Sequence, residues 1–350
     1  MAFTLVTGAT GFLGSQLVRT LIERGESVKA LVRPGSNLTA LEGYPSDRFK
    51  IAVGDVRIEQ SVFAALASCT CMYHVAANFK MWDPDPKRII EPAVEGMRAT
   101  LRAARARKLE KVVITSSAGV LGTTADSEKA MDETHEFNLR DPEAYFAAKV
   151  AADRVAAEFS KGGLPIVSVL PGTIAGPGDW KPTPNGQLLL EYLKTPPTSH
   201  FPVSGGGINV VDVEDVALGH VLAMERGAPG ERYVLGGENL TFSRLFETLS
   251  DMTGLAEPST PKSKGLMKFA GKLFEWNARL RGGVPPITSR LANDFVDAFC
   301  FVSSKKAEQA LGYRHRPARE ALLRSVRWFL ENGYVPKHAA SRVRLELRPT

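Results

Sequence analysis

Cysteine is scarce in this chain: its 350 residues include three, Cys69, Cys71 and Cys300. So small and odd a number excludes a disulfide framework. The C-x-C at 69–71 is one residue short of a redox pair, and no second pair completes a zinc site. The thiols read as reduced, and no metal is expected. Long apolar runs are also lacking, so nothing in the sequence suits a bilayer span. A strand-like run (Phe3, Leu5, Val6) begins almost at Met1, which leaves no room for a signal peptide. A cytoplasmic location is the expectation. Blocks of like charge are missing too. The 44 Lys and Arg are scattered among 38 Asp and Glu for a formal net charge of +6, which argues against nucleic acid and for an anionic cofactor or substrate.

What is present is alternation. Short apolar runs at 4–7, 28–32, 50–53, 71–75, 112–115 and 166–170 alternate with helical patterns, the signature of a parallel sheet built from βαβ units. Leu13, Leu17 and Leu21 with Val18 and Ile22 make the first helical stripe, closed by Gly25. Another helix is expected from about 86 to 104, and Asp141-Pro142 reads as an N-cap followed by proline at the first helical position. After Leu170 glycine and proline accumulate (PGTIAGPGDWKPTPNG), and Asp212 is placed to cap a helix ending near Gly227. The expected fold is α/β: a Rossmann-type doubly wound parallel sheet with a smaller, mainly helical C-terminal substrate-binding part. Residues 1–170 form the NADP(H)-binding part, to which 209–235 return. Residues 171–208 and 236–335 form the substrate part, and 336–350 a loose basic tail.

The segment Thr7-Gly8-Ala9-Thr10-Gly11-Phe12-Leu13-Gly14 lies between the first strand and the first helix, the context a dinucleotide fingerprint requires. Its G-x-x-G-x-x-G spacing differs from G-x-G-x-x-G. The glycines serve the same ends, a tight turn and backbone approach to a pyrophosphate resting on a helix N-terminus. Gly8, Thr10, Gly11, Phe12, Leu13 and Gly14 are the expected cofactor contacts. An NAD site usually carries an acid at the tip of the second strand, facing the ribose hydroxyls. Here that strand ends Leu31-Val32-Arg33-Pro34, and Arg33 offers a fork of donors to a 2′-phosphate. NADP(H) is therefore expected ahead of NAD(H). Asp55, followed by Val56, is placed to meet an adenine amino group. Ala76 and Ala77, after His74, are small enough to let the cofactor contact the backbone.

Ser116 and Ser117 follow the fifth apolar run and so lie at the carboxyl end of the sheet, where ligands bind in open α/β folds. Tyr145 and Lys149, in YFAAK, are four apart and share a helix face. A serine hydroxyl can orient a carbonyl. A phenol titrating near pH 10 becomes a useful proton donor when a neighbouring ammonium lowers its pKa. Lys149 is expected to supply that ammonium.

With TGATGFLG at 7–14, GDV at 54–56, HVAA at 74–77, TSSAG at 115–119, YFAAK at 145–149 and PGTIAGPGD at 171–179, the chain resembles the extended short-chain dehydrogenase/reductase family along almost its whole length. Within it, LVRP, IIEPAVEGMRATL, TSSAG and VSSKKAEQALGY look most like the dihydroflavonol reductase and cinnamoyl-CoA reductase branch. WDPDP, GPGDWKPTPNG and RYVLGGENLTF are also similar to hopanoid-associated sugar epimerase-like proteins. The resemblance implies that Ser117 binds the carbonyl, Tyr145 is the general acid/base, and Lys149 binds ribose and lowers the tyrosine pKa. It places Pro171 and Thr173 beside the cofactor and is compatible with a homodimer. Two departures stand out. Nucleotide-sugar epimerases usually carry an asparagine in the loop corresponding to 171–177, and this chain has none there. Ala148 stands where many members have serine.

Substrate contacts are expected from Asn78, Phe79, Met81 and Trp82 after the fourth strand, from Trp180 after the sixth, and from Ser117. Aromatic and thioether groups suit an apolar or aromatic carbonyl compound. In 262–281, Leu266, Phe269, Leu273 and Leu280 recur at helical spacing, with Lys264, Lys268, Lys272 and Arg279 on another face. Such a segment is either a lid helix with a solvated basic face or a peripheral membrane contact, which would hint at a lipid-like substrate. The leading expectation is an NADPH-dependent ketone or aldehyde reductase. The alternatives are an NAD-dependent nucleotide-sugar epimerase/dehydratase and a non-catalytic NADP-sensing protein.

Overall fold

The computed structural model describes residues 2–77, 79–195, 205–258, 264–285 and 287–345. The first half alternates as its apolar periodicity dictates: β1 (Phe3–Thr7), α1 (Phe12–Glu23), β2 (Val28–Val32), β3 (Phe49–Val53), α2 (Glu59–Ala65), β4 (Cys69–His74), α3 (Lys87–Ala106), β5 (Lys111–Thr115), α4 (Ala144–Lys161) and β6 (Ile166–Pro171). Then come β7 (Thr173–Ala175), α5 (Pro184–Lys194), β8 (Gly206–Asp212), α6 (Val213–Arg226), β9 (Arg232–Leu235), β10 (Glu238–Thr241) and α7 (Phe242–Thr253). The chain closes with α8 (Lys264–Arg281), α9 (Ser289–Phe295), β11 (Ala298–Cys300), α10 (Lys305–Leu311), α11 (Ala318–Glu331) and α12 (Lys337–Ala340).

One sheet runs β3-β2-β1-β4-β5-β6-β9 with every pair parallel. Both faces are covered, which is why its strands read as continuous apolar runs. Leu17 and Leu21 of α1 pack with Val216 and Val221 of α6 on one side. Met97 and Leu101 of α3 pack with Val155 and Phe159 of α4 on the other. The strand order reverses between β1 and β4, opening a crevice at their carboxyl ends.

A smaller sheet, β10-β8-β11 with β7 also on β8, belongs to the C-terminal part. With α5, α7 and α11 it encloses a second core that includes Leu189, Leu193, Phe246, Leu249, Val326 and Phe329. Of residues 209–235, α6 and β9 sit with the large sheet, whereas 209–212 belong to β8 of the small one. Asp212 caps α6 by accepting from the Glu214 N–H.

Two expectations are corrected. Helix α4 starts at Ala144 with Glu143 as its N-cap residue, not at Pro142. Glu143 is drawn into the interior by the Thr288 hydroxyl, while Asp141 turns outward to pair with Arg290 at 2.9 Å. The end of the chain is not loose as far as residue 345. Val335 and Ala339 are buried, Val343 and Leu345 pack on the second core, and the Arg344 N–H donates to the Thr253 carbonyl at 2.8 Å. Flanking basic residues mask that four-residue apolar spacing in the sequence. Among the described residues no helix is long and apolar enough to cross a membrane.

Candidate active site

The glycine loop is a cradle that side chains would fill. Gly8 has φ +70°, and a Cβ there would stand 2.7 Å from the Ala76 nitrogen; one on Gly14 would run into the Gly8 carbonyl. The Gly11 N–H closes the turn onto the Gly8 carbonyl at 2.9 Å. Helix α1 then begins with no side-chain cap, so its first-turn N–H groups are available to an anion. Thr10 lies in this turn, and Phe12 and Leu13 open the helix. Beside it the Ala76 N–H donates to Thr7 Oγ1 at 3.2 Å, and Thr7 Oγ1 lies 2.9 Å from His74 Nδ1. Burial, reinforced by the Lys149 charge, pushes His74 down to about 4, so it stays neutral. A dinucleotide pyrophosphate fits this set.

Arg33 is exposed at the tip of β2. Asp55 is engaged by Arg57, whose guanidinium reaches its carboxylate at 2.6 Å. That bond, more than the nearby Arg33 charge, holds the Asp55 carboxyl below its usual range. Arg57 went unnoticed in the sequence, although GDV is followed directly by it. Val56 turns inward instead, its carbonyl accepting from Thr100 Oγ1 at 3.3 Å. Ala77 is exposed. Pro171 closes β6, and Thr173 opens β7 two residues later.

Ser117, Tyr145 and Lys149 do come together. Ser117 Oγ accepts from the Gly119 N–H at 3.1 Å, fixing the turn after β5. The absent Cβ of Gly119 lets the Phe146 ring pass over that turn, and α4 thereby delivers Tyr145 to the serine. Burial pushes the Tyr145 phenol up to about 12, against an opposing hydrogen bond from Ser117. Lys149 does not lower it here. The ammonium instead donates to the carbonyls of Thr115 and Ser116 at 3.2 and 3.4 Å, and burial pulls it down to about 8 against the charge of Asp153. Asp153, one turn further along α4, is a half-buried carboxylate 3.6 Å from Arg232.

A sequence profile described as Epimerase, the NAD dependent epimerase/dehydratase family, matches residues 4–236. A Synechocystis protein provisionally named dihydroflavonol 4-reductase is 34% identical over 336 residues, covering 94% of this chain and 95% of its own. Sterol demethylase protein B of Methylococcus capsulatus is 30% identical over 344 residues, covering 95% and 99%. The chain belongs to the NAD dependent epimerase/dehydratase family. Its members are the extended short-chain dehydrogenases/reductases, which work with a nicotinamide cofactor. The crystal structure of gox2253 superposes with a TM-score of 0.82 at 35% identity, covering 96% of this chain and all of that one.

Aromatic residues around the site of this extended short-chain dehydrogenase/reductase have divided placements. Phe79 stacks on Tyr145. Trp82 is buried and, with Glu143, Glu275 and Arg279, lines a polar cavity of about 270 Å³ beside the start of α4. Trp180 packs edge-on against Trp328, their centroids 4.9 Å apart, and its carbonyl accepts from Tyr334 Oη. Asn78 lies outside the described residues. Sequence reasoning missed Glu143, Phe146 and Thr288, because the contacts that bring them together join residues up to 145 apart in the chain.

Proposed function

We propose that this chain is an NADPH-dependent reductase of a ketone or aldehyde on an apolar, aromatic or lipid-like small molecule. The observation that carries the reading is geometric: the buried Tyr145 phenol is hydrogen-bonded with Ser117 at the carboxyl end of β5, with Lys149 one turn further along the same helix. A phenol placed beside a carbonyl-orienting hydroxyl can pass its proton to the substrate oxygen, which is the acid that carbonyl reduction requires. Bound NADPH would supply the hydride. Ser117 orients the substrate oxygen by hydrogen bonding, and Tyr145 donates its proton to that oxygen. Lys149, anchored on the Thr115 and Ser116 carbonyls, is positioned for the cofactor ribose. Gly8, Gly11 and Gly14 accommodate the pyrophosphate, and Arg33 takes the 2′-phosphate as a planar donor. Phe79 covers the substrate, with Trp82 as the inner wall. The relatives named as a dihydroflavonol reductase and a sterol demethylase protein favour an apolar ring system as the substrate class.

The test is nicotinamide oxidation by the purified protein over a panel of aromatic, flavonoid-like, steroid and alkyl ketones, with NADPH and NADH in parallel. Steady NADPH consumption is expected, and Tyr145→Phe is expected to lower it by roughly a hundredfold to ten-thousandfold. Tightly held NAD with no net turnover of any carbonyl would replace this reading by a nucleotide-sugar epimerase.

A further inference from the structure

Helix α8 carries an apolar stripe that faces away from the protein. Residues turn by about 100° each along a helix, so Leu266, Phe269, Leu273, Trp276 and Leu280 lie along one narrow line, and they are between 50 and 65% exposed. The opposite side is the docked one. Gly271 and Ala278 are buried there, and a Cβ on Gly271 would strike the backbone of Ser289 at the start of α9. Val284, just past the helix, extends the exposed patch. A surface helix normally turns its apolar stripe toward the core. A lid helix with a solvated basic face would do the same, and α8 does the reverse.

The flanking charge identifies what covers the stripe. Lys264, Lys272, Arg279 and Arg281 are exposed, and Lys268 donates to Asn293 at 3.0 Å. The single acid of the helix, Glu275, accepts from the Ser289 N–H on the docked side. Two copies of α8 laid stripe to stripe would bring Lys272 and Arg279 of both chains along one seam with no carboxylate between them. An anionic surface answers that charge, and leucines interspersed with Phe and Trp suit a boundary between headgroups and acyl chains.

We propose that α8 is the face by which this protein lies on an anionic lipid bilayer. The stripe enters the acyl boundary, and Lys272 and Arg281, which flank it on either side, meet the headgroups. It rests on the membrane and does not cross it. The same helix, through Glu275 and Arg279, walls the cavity beside Glu143, so docking would set that cavity close to the lipid.

Co-sedimentation of the full chain with vesicles of phosphatidylglycerol and phosphatidylcholine, against phosphatidylcholine alone, tests this. Binding is expected to the anionic vesicles and to weaken as salt rises. Phe269→Ser with Trp276→Ser is expected to lower the partition coefficient by about tenfold for each ring removed. Lys272→Glu with Arg281→Glu is expected to lower it by at least about fivefold per residue on anionic vesicles. These are surface positions away from Ser117, Tyr145 and Lys149, so the circular-dichroism melting curve is expected to stay unchanged. Failure to bind anionic vesicles at low salt overturns the proposal, as does binding that the aromatic double variant leaves intact. A stable dimer in sedimentation velocity that this variant splits, with no vesicle binding by either form, assigns the stripe to a second copy and overturns it equally.

Discussion

The ring of Phe79 lies over that of Tyr145, with centroids 5.5 Å apart and planes 29° from parallel. The two differ sharply in exposure, at 51% for Phe79 and 8% for Tyr145, so Phe79 shields the phenol ring from water. Stacked aromatic pairs contribute about 0.5–1.5 kcal/mol beyond their area. Phe79→Ala is expected to lower kcat/KM for an aromatic ketone by about threefold to tenfold. The tyrosine is expected to titrate at lower pH in ultraviolet difference spectra, because burial is what raises its pKa. Unchanged kinetics and titration would place the substrate elsewhere.

Lys149 predicts a basic limb in the pH profile. A cation whose pKa is pulled down to about 8 loses its proton well before an ordinary lysine does. Tyr145 keeps its proton to about 12 and cannot be the source of such a limb. The rate of carbonyl reduction is therefore expected to fall as pH rises through about 8. Lys149→Arg, whose guanidinium stays charged, is expected to abolish the limb even though the maximal rate drops. A limb that survives the substitution would belong to another group.

The proposed reading gives Arg33 the choice between NADPH and NADH. A hydrogen bond to a charged group contributes about 1.5–3 kcal/mol, so Arg33→Ser is expected to raise KM for NADPH by roughly tenfold to a hundredfold and leave NADH unaffected. Arg57→Ala is a different experiment. It frees Asp55 from its 2.6 Å partner and leaves a carboxylate close to Arg33, which is expected to weaken NADPH binding by a smaller factor. Equal effects on both nucleotides would remove Arg33 from the 2′-phosphate.

The parts of the fold that were legible are those whose signal is local. Six parallel strands announce themselves as apolar runs, and Gly8 and Gly14 mark a turn where a Cβ has no room. Ser117, Tyr145 and Lys149 each sit at a position fixed by a neighbouring strand end or helix face. The small sheet was not legible because β7 and β11 are three residues long and exist through pairing with β8. Nor was the orientation of α8, since an amphipathic pattern does not say which face the rest of the molecule covers. The phenol's raised pKa was missed for a related reason. The i, i+4 spacing puts Lys149 on the right face of α4, but the ammonium is spent on two carbonyls across the strand end.

Asp179 supplies a stability prediction. Its buried carboxylate accepts from the N–H and hydroxyl of Thr183, yet burial outweighs those bonds and raises its pKa from 3.8 to about 6. A raised value in the folded state means that folding favours the protonated form. The contribution is full below about pH 4 and is lost as pH rises through about 6, a fall of at most roughly 3 kcal/mol. Asp179→Asn keeps an acceptor without the titration. Urea unfolding across this window is expected to show the fall in the wild-type protein and a flatter dependence in the variant.

Thr288 joins two helix starts. Its hydroxyl donates to the buried Glu143 carboxylate at the N-cap of α4 and accepts from the Leu291 N–H at 2.9 Å, capping α9. Thr288→Val removes both bonds at nearly constant volume. Losing the cap costs about 1 kcal/mol, and a buried acceptor left without its donor costs about 1–3 kcal/mol. Burial raises the Glu143 pKa and the Thr288 bond pulls it back, so without that donor the carboxyl favours its protonated form still more. The deficit of Thr288→Val is therefore expected to be larger at about pH 8, where the carboxylate must stay charged, than at about pH 5. Thr288→Ser keeps both bonds and is expected to match the wild type. Tyr145 follows Glu143 by two residues, so loosening the cap is also expected to reduce kcat while leaving NADPH affinity intact. A Thr288→Val protein with full kcat and lower stability would show that the tie holds the fold without positioning the phenol.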